Sequence, residues 1–215
     1  MARNKYPEET VQKILEVSYR LFREKGYDHT TIQDIVDALG MSKGAIYHHF
    51  KSKEEILDRI NDRYYDEVNW FRDIRLDPEL TGLEKLREVL RNLFTDSRKQ
   101  ELDNIQLSIP KNPRVVAMVL QSSVHDAAPF FQRLVEEGIR DGSVSATRPK
   151  ELSEALMILM NLWMGMCASG REDFARKLDF FQEFTEKMGL PLLDDSLRRI
   201  ILGYFDGVMP ESGWI

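Results

Sequence analysis

The 215-residue chain reads as all-α: an N-terminal three-helix domain containing a helix-turn-helix, followed by a larger helical domain. Three observations predict this. Apolar residues recur at helical spacing nearly throughout, without strand-like alternation or internal repeats. Prolines and capping residues fall where one helix should give way to the next. With 42% hydrophobic and 31% charged residues, the chain can bury one or two cores and does not resemble a disordered polypeptide.

Helix one is expected from Pro7 to Lys25, with Pro7 tolerated in the first turn and Glu8 and Glu9 favourable to the helix dipole there. Val11, Ile14, Leu15, Leu21 and Phe22 line its inner face. Asp28–His29 belongs to the turn that follows. In helix two, Ile32, Ile35, Val36 and Leu39 form an i, i+3, i+4, i+7 stripe. Thr30 and Gln33 have capping-box spacing at its start, and Gly40 suits a left-handed turn at its end. Ser42 caps helix three, and Ser52 with Glu55 makes a second capping-box pattern opening helix four, expected to run from Lys53 towards Asp73. Two short helices joined at a glycine are the helix-turn-helix arrangement.

Helix three separates into two faces. At 100° per residue from Lys43, the residues Lys43, Tyr47, Gly44 and His48 lie at about 0°, 40°, 100° and 140°, whereas Ala45, His49, Ile46 and Phe50 lie near 200° to 340°. Ile46 and Phe50 are therefore expected in the core, His49 at its edge, and the Lys43–Tyr47–His48 side is free to enter a groove. No carboxylate occurs between Asp37 and Glu54. Carboxylates repel phosphates, so this window is where a polyanion would dock. Residues 1–60 carry ten basic and ten acidic side chains, and the rest of the chain holds the whole net charge of −6. Binding must rest on local placement rather than on a bulk basic surface.

The first sixty or so residues resemble the DNA-binding domain of the TetR (tetracycline repressor-like) family of bacterial transcriptional regulators. The resemblance is carried by Ile14–Leu15, Leu21–Phe22, Gly26–Tyr27, Thr30–Thr31–Ile32, Ile35, Leu39–Gly40, Ser42–Lys43–Gly44, Ile46–Tyr47–His48–His49–Phe50, Lys53–Glu54 and Leu57. It implies a sequence-specific regulator, a repressor released by a small-molecule effector, with residues 1–55 as the DNA-binding domain and 56–215 as the effector-binding and dimerisation domain. It further implies that Thr31 touches phosphate, that Ser42, Lys43, Gly44, Tyr47, His48 and His49 face the groove or its flanks, and that Lys53 grips phosphate at a helix N-terminus. Base readout would then rest on Lys43, a thymine-methyl contact by Ala45, and DNA shape. A DNA-binding protein acting in chromosome organisation or division would share the same pattern.

Beyond helix four, Pro78 is expected to reopen a helix carrying Leu83, Leu86, Val89, Leu90, Leu93 and Phe94. The stretch Asp96–Ile109 reads as helix or loop. Pro110 and Pro113 break the chain before Val115–Val124, Pro129 starts Phe130–Asp141, and Gly142 ends it. Pro149 opens a helix to about Ala168, followed by helices at Asp173–Met188 and Asp194–Val208. The segment Leu152–Ala168 is hydrophobic nearly all round, which predicts burial on more than one side. Through the resemblance it is the expected contact of a homodimer reading a near-palindromic double-stranded operator, joined by one of the last two helices. A central helix of a monomer core is the other reading. Phe94, Met118, Phe130, Phe131, Met157, Met160, Trp163 and Met164 suit an adaptable pocket for a small apolar effector by residue type, and equally suit plain core.

An enzyme is disfavoured. His29, His48, His49 and His125 lack i, i+4 partners or a glutamate placed for metal chemistry, and no P-loop, dinucleotide fingerprint or Gly-x-Ser-x-Gly occurs. No cofactor or metal is expected. Cys167, the single cysteine, excludes an intramolecular disulfide and reads as a small buried residue. No run approaches eighteen apolar residues and the N-terminus lacks an apolar leader, which predicts a cytoplasmic protein without membrane contact.

Overall fold

The computed structural model describes residues 7–107 and 112–208, and these form twelve α-helices with no strand among them. Two compact units part at the Glu67–Val68 bond. The first holds α1 (Pro7–Lys25), α2 (Ile32–Leu39), α3 (Lys43–His49) and α4 (Lys53–Glu67). A boundary at 55/56 would assign α4 to the larger domain. Instead Ile56, Leu57, Ile60 and Tyr64 are buried, and α4 packs along α1, where Arg63 reaches Glu16 at 3.6 Å. The helix α4 thus contributes to the core of this unit.

The cap of α2 is shifted by one residue from the expected one. Thr30 is buried, and its hydroxyl donates to the carbonyls of Gly26 (2.8 Å) and Leu21 (3.2 Å), closing the end of α1. Thr31 is the N-cap, paired reciprocally with Asp34, and Gln33 turns to Asp37 (2.8 Å). At the other end the expected left-handed glycine is present: Gly40 has φ 63°, and the Met41 N–H closes on the Val36 carbonyl at 3.2 Å. α4 stops at Glu67 rather than near Asp73. Its last turn is acidic (Asp66, Glu67), opposing the helix dipole, and is followed by two weak helix formers, Val68 and Asn69.

The second unit contains α5 (Trp70–Leu76), α6 (Gly82–Thr95), α7 (Ser97–Leu107), α8 (Pro113–Ser122), α9 (Ala128–Asp141), α10 (Pro149–Ile158), α11 (Arg171–Lys187) and α12 (Asp195–Val208). The helix expected at Pro78 begins at Gly82, because Thr81 supplies a full capping box with Glu84. Asp96 caps the ambiguous stretch, accepting from the Arg98 N–H at 2.8 Å, and makes it helix α7. Pro110 lies outside the described residues.

α9 is the centre of this unit, packing against α6 on one side and α10 on the other. Pro129 is in the first turn of α9, as expected, but no loop precedes that helix. A π-helical turn, Ser123–Ala127, joins α8 to α9, and its wider turn makes room for a ring that would clash in regular α-helix. A second π-turn, Leu159–Met164, continues α10, and Asn161 Nδ2 donates to the buried Ser123 hydroxyl at 3.0 Å, linking the two. Part of Leu152–Ala168 is internal: Leu152, Leu156, Met157, Met164 and Ala168 are buried in their own unit's core. Part of its all-round hydrophobicity is thus satisfied within one subunit, while Ile158, Leu159, Met160, Leu162 and Trp163 stay half-buried.

Candidate nucleic-acid interface

Helix α3 is seven residues long, so its orientation depends on anchors. Ser42 Oγ accepts the Ala45 N–H at 3.2 Å, fixing the start, and the extended Phe50 closes the end by donating its N–H to the Ile46 carbonyl at 3.0 Å. Ile46 is 0% exposed and Phe50 is buried. The rotation expected from the helical wheel follows: Ser42, Lys43, Gly44, Tyr47 and His48 are exposed, and Ala45 and His49 are half-buried. Tyr47 is 47% exposed, a large cost in unburied aromatic surface for a face with no partner. The Lys43 ammonium lies 6.0 Å from the Tyr47 ring centroid, and the His48 and His49 rings meet edge to face at 5.1 Å. At Gly44 an added Cβ would meet no protein atom within 4 Å. Packing does not require glycine there, and its effect is to leave the first turn of α3 open to close approach.

Electrostatics favour the same face. Of the two carboxylates on α2, Asp37 accepts from Gln33, and Asp34 is held by Lys25 Nζ at 2.7 Å, by the Thr31 hydroxyl at 2.6 Å and by the Thr31 N–H at 2.8 Å. These bonds, that from Lys25 foremost, hold the Asp34 carboxyl far below the ordinary aspartate range. Both donors of exposed Thr31 are therefore committed to Asp34, and a phosphate contact at Thr31 would compete with them.

Lys53 is placed differently from its neighbours. Its ammonium donates to the carbonyls of Tyr27 (2.6 Å) and Thr30 (2.9 Å) and lies 4.0 Å from the centroid of the Tyr27 ring. Burial lowers its pKa. A grip on phosphate would likewise compete with these contacts. A residue not singled out from sequence, Lys51, is exposed at the turn between α3 and α4. The signal that could have found it is its position inside the acid-free window.

Seven of the eight effector candidates belong to one core cluster or pack against it. Phe131, Met157 and Met164 are core residues, whereas Phe94, Phe130, Met160 and Trp163 are half-buried against that core, and Met118 is half-buried on α8. An open surface cleft is lined instead by Pro78, Leu80, Thr81, Glu137, Arg140 and Asp141, with Glu79, and includes none of the eight. Cys167 is exposed, contrary to expectation, between buried Met166 and Ala168. Among the described residues no group of three His, Cys, Asp or Glu side chains could hold a metal ion, and no helix is long and apolar enough to cross a membrane.

Comparison with known proteins agrees with this geometry. Residues 14–60 match the family described as bacterial regulatory proteins, tetR family. The HTH-type transcriptional repressor KstR2 of Rhodococcus jostii is 29% identical over 174 residues, covering 80% of this chain and 71% of that protein. KstR2 of Mycobacterium tuberculosis is 38% identical over 86 residues, which span 38% of this chain and 41% of the relative. GusR of Salmonella enterica, 20% identical, shares the fold over 95% of this chain and all of its own, with a TM-score of 0.60. Residues 14–60 therefore carry the DNA-binding domain of the tetR family of bacterial regulatory proteins, with α2 and α3 as its helix-turn-helix.

Proposed function

We propose that the protein is a repressor that binds a near-palindromic operator as a homodimer and is released by a small apolar effector held in the second unit. The observation that carries the DNA reading is the exposed Lys43–Tyr47–His48 face on a helix anchored from behind by fully buried Ile46. In this reading Lys43 and Tyr47 meet base edges and phosphates in the major groove, Gly44 admits the backbone closely, and Ser42, His48 and His49 flank the contact. Thr31 and Lys53 frame it.

One seven-residue helix reads too few base pairs to find a site in a genome, so two copies related by a two-fold axis are required. The surface that suits the second copy is on α11. Phe180, Phe184 and Met188 follow one another at i, i+4 and i+8; Phe180 is 54% exposed, and Trp163 meets its ring edge to face at 5.5 Å. Self-pairing of this stripe buries aromatic surface that water otherwise covers. α12 offers no comparable stripe, since Leu197, Ile201, Phe205 and Val208 are already buried. Half-buried Phe94, Phe130, Met160, Trp163 and Met118 are the side chains that an apolar effector could displace, and release requires it to prefer the conformation with misplaced recognition helices.

Selection of bound duplexes from a random library, followed by mapping of bound sites across the source genome, tests the proposal. The expected result is an inverted repeat with half-sites about one helical turn apart, or a multiple of it, found at a few promoters. Recovery of no preferred sequence would refute it, and sites spread evenly over the chromosome would favour a role in chromosome organisation.

A further inference from the structure

We infer that His48 and His49 make operator binding proton-linked: the pair takes up protons as DNA docks, so acidification tightens the complex. This rests on the DNA-binding reading above and adds its regulation. Both residues are in the last turn of α3, His48 exposed and His49 half-buried, and their rings meet edge to face with centroids 5.1 Å apart. Imidazole is the side chain whose charge changes between pH 5 and 8. The charged groups around the pair come from three places. On α3 itself the other charge is Lys43. On α2, which packs against α3, are Asp34 and Asp37; Asp34 is bound by Lys25 and Thr31, and Asp37 accepts from Gln33. From the turn beyond α3 and the start of α4 come Lys51, Lys53, Glu54 and Glu55. The Glu55 carboxylate accepts the Lys51 N–H at 2.6 Å, Lys53 donates to the Tyr27 and Thr30 carbonyls, and Glu54 acts on Lys53. Among the described residues no carboxylate pairs with either ring, so a counter-charge for the pair has to come from outside the chain.

Two rings this close resist carrying two charges in the free protein, because like charges disfavour each other's protonated form. The C-terminal end of the α3 dipole favours positive charge, and it acts on both rings alike. DNA changes the balance. A phosphate flanking α3 replaces repulsion by attraction, and each protonated ring offers it a charge-assisted N–H donor. The protons come from solvent, at most one per ring. The sign follows from linkage. If DNA raises the proton affinity of the pair, protons raise its affinity for DNA by the same factor, so log K climbs as pH falls. The pair adds to what one histidine would do, since the repulsion that holds back the second proton is relieved only in the complex. Its placement is fixed by the anchors of α3: buried Ile46 sets the rotation, and the Phe50 N–H on the Ile46 carbonyl ends the helix directly after His49.

The test measures affinity for the selected operator duplex from pH 8 to pH 5.5 at constant ionic strength, with a circular dichroism melt of each variant at each pH. Wild type should tighten as pH falls, by up to about tenfold per pH unit for each proton taken up. His48→Gln and His49→Gln should each flatten the profile, and the double variant should remove the rise, while His29 and His125, still present, control for titration elsewhere. The log K against log salt slope of wild type should be steeper at pH 6 than at pH 8, by up to about 0.9 per proton taken up. If the double glutamine variant binds too weakly to measure, His48→Lys with His49→Lys supplies two cations that do not titrate in this range, and its profile should be flat. A wild-type profile that is flat, or a rise that survives in either double variant, overturns the proposal. Wild-type protein that prefers no duplex at any pH overturns the DNA-binding reading itself.

Discussion

Lys85 Nζ lies 2.5 Å from Glu137 Oε1, joining α6 to α9 through a lysine that is only 3% exposed, and the same ammonium reaches the Arg75 carbonyl at 3.2 Å. The two helices are close enough here for this pairing because their backbones nearly touch: a Cβ on Gly82 would fall 2.1 Å from the Gly138 nitrogen. Removing one partner of a buried pair leaves a charge without compensation, which costs about 3–5 kcal/mol when both ends are dry. Glu137 is one-third exposed, so water recovers part of that. Glu137→Leu is therefore expected to destabilise the protein by about 2–3 kcal/mol in urea unfolding, and Lys85→Met combined with Glu137→Leu should cost less than Glu137→Leu alone. Additive losses would mean that the pair is not coupled.

Acid stability should carry the mark of Asp34. Its carboxyl is held below the ordinary value of 3.8, first by Lys25 and then by the hydroxyl and N–H of Thr31. A depressed folded-state pKa means that the unfolded chain takes up the proton first, so the contribution is complete above about pH 4 and is lost as pH falls through the folded value. Asp34→Asn should melt below wild type at pH 7, with the gap narrowing progressively below pH 4. A constant gap in melting scans from pH 7 to 2 would remove the linkage.

On α3, Tyr47→Ala and Lys43→Ala are each expected to weaken operator binding by about 1–3 kcal/mol with helical content intact. Ile46→Ala should instead lower the domain's unfolding free energy by about 2–5 kcal/mol, since it empties a fully buried site. Circular dichroism melts together with binding isotherms separate the two classes. The reverse pattern would mean that α3 presents its other face.

The α11 stripe makes the oligomer testable without DNA. Phe180→Asp places a charge at the centre of the proposed contact and should convert a dimer to a monomer in sedimentation at micromolar concentration. Because Phe180 is 54% exposed, the subunit itself should stay folded. A dimer that survives the substitution would place the interface elsewhere.

Much of the helix-turn-helix was legible because its signals are local. The Ile32–Leu39 stripe, the Gly40 turn, the Ser42 cap and the inward Ile46 all follow from neighbours within about four residues, and each is found where the residues implied. The shift of the α2 cap from Thr30 to Thr31 was not legible. Both threonines have suitable chemistry, and the choice turns on the Leu21 and Gly26 carbonyls at the end of α1, which claim the Thr30 hydroxyl.

By itself, the sequence determined an all-helical chain, the turn and caps that define α2 and α3, and the side of α3 left open, because periodicity and capping act over one or two turns of helix. Only the tertiary structure decided what long or ambivalent side chains do. Lys53 turned inward because Tyr27, twenty-six residues earlier, offers it a carbonyl and a ring. Leu152, Leu156, Met157, Met164 and Ala168 joined the core of their own unit, while Phe180 on α11 stayed exposed. The helix α4 joined the N-terminal unit because α1 could bury its apolar face. Each of these outcomes depends on a partner distant in sequence, and no short-range pattern encodes which partner the fold will supply.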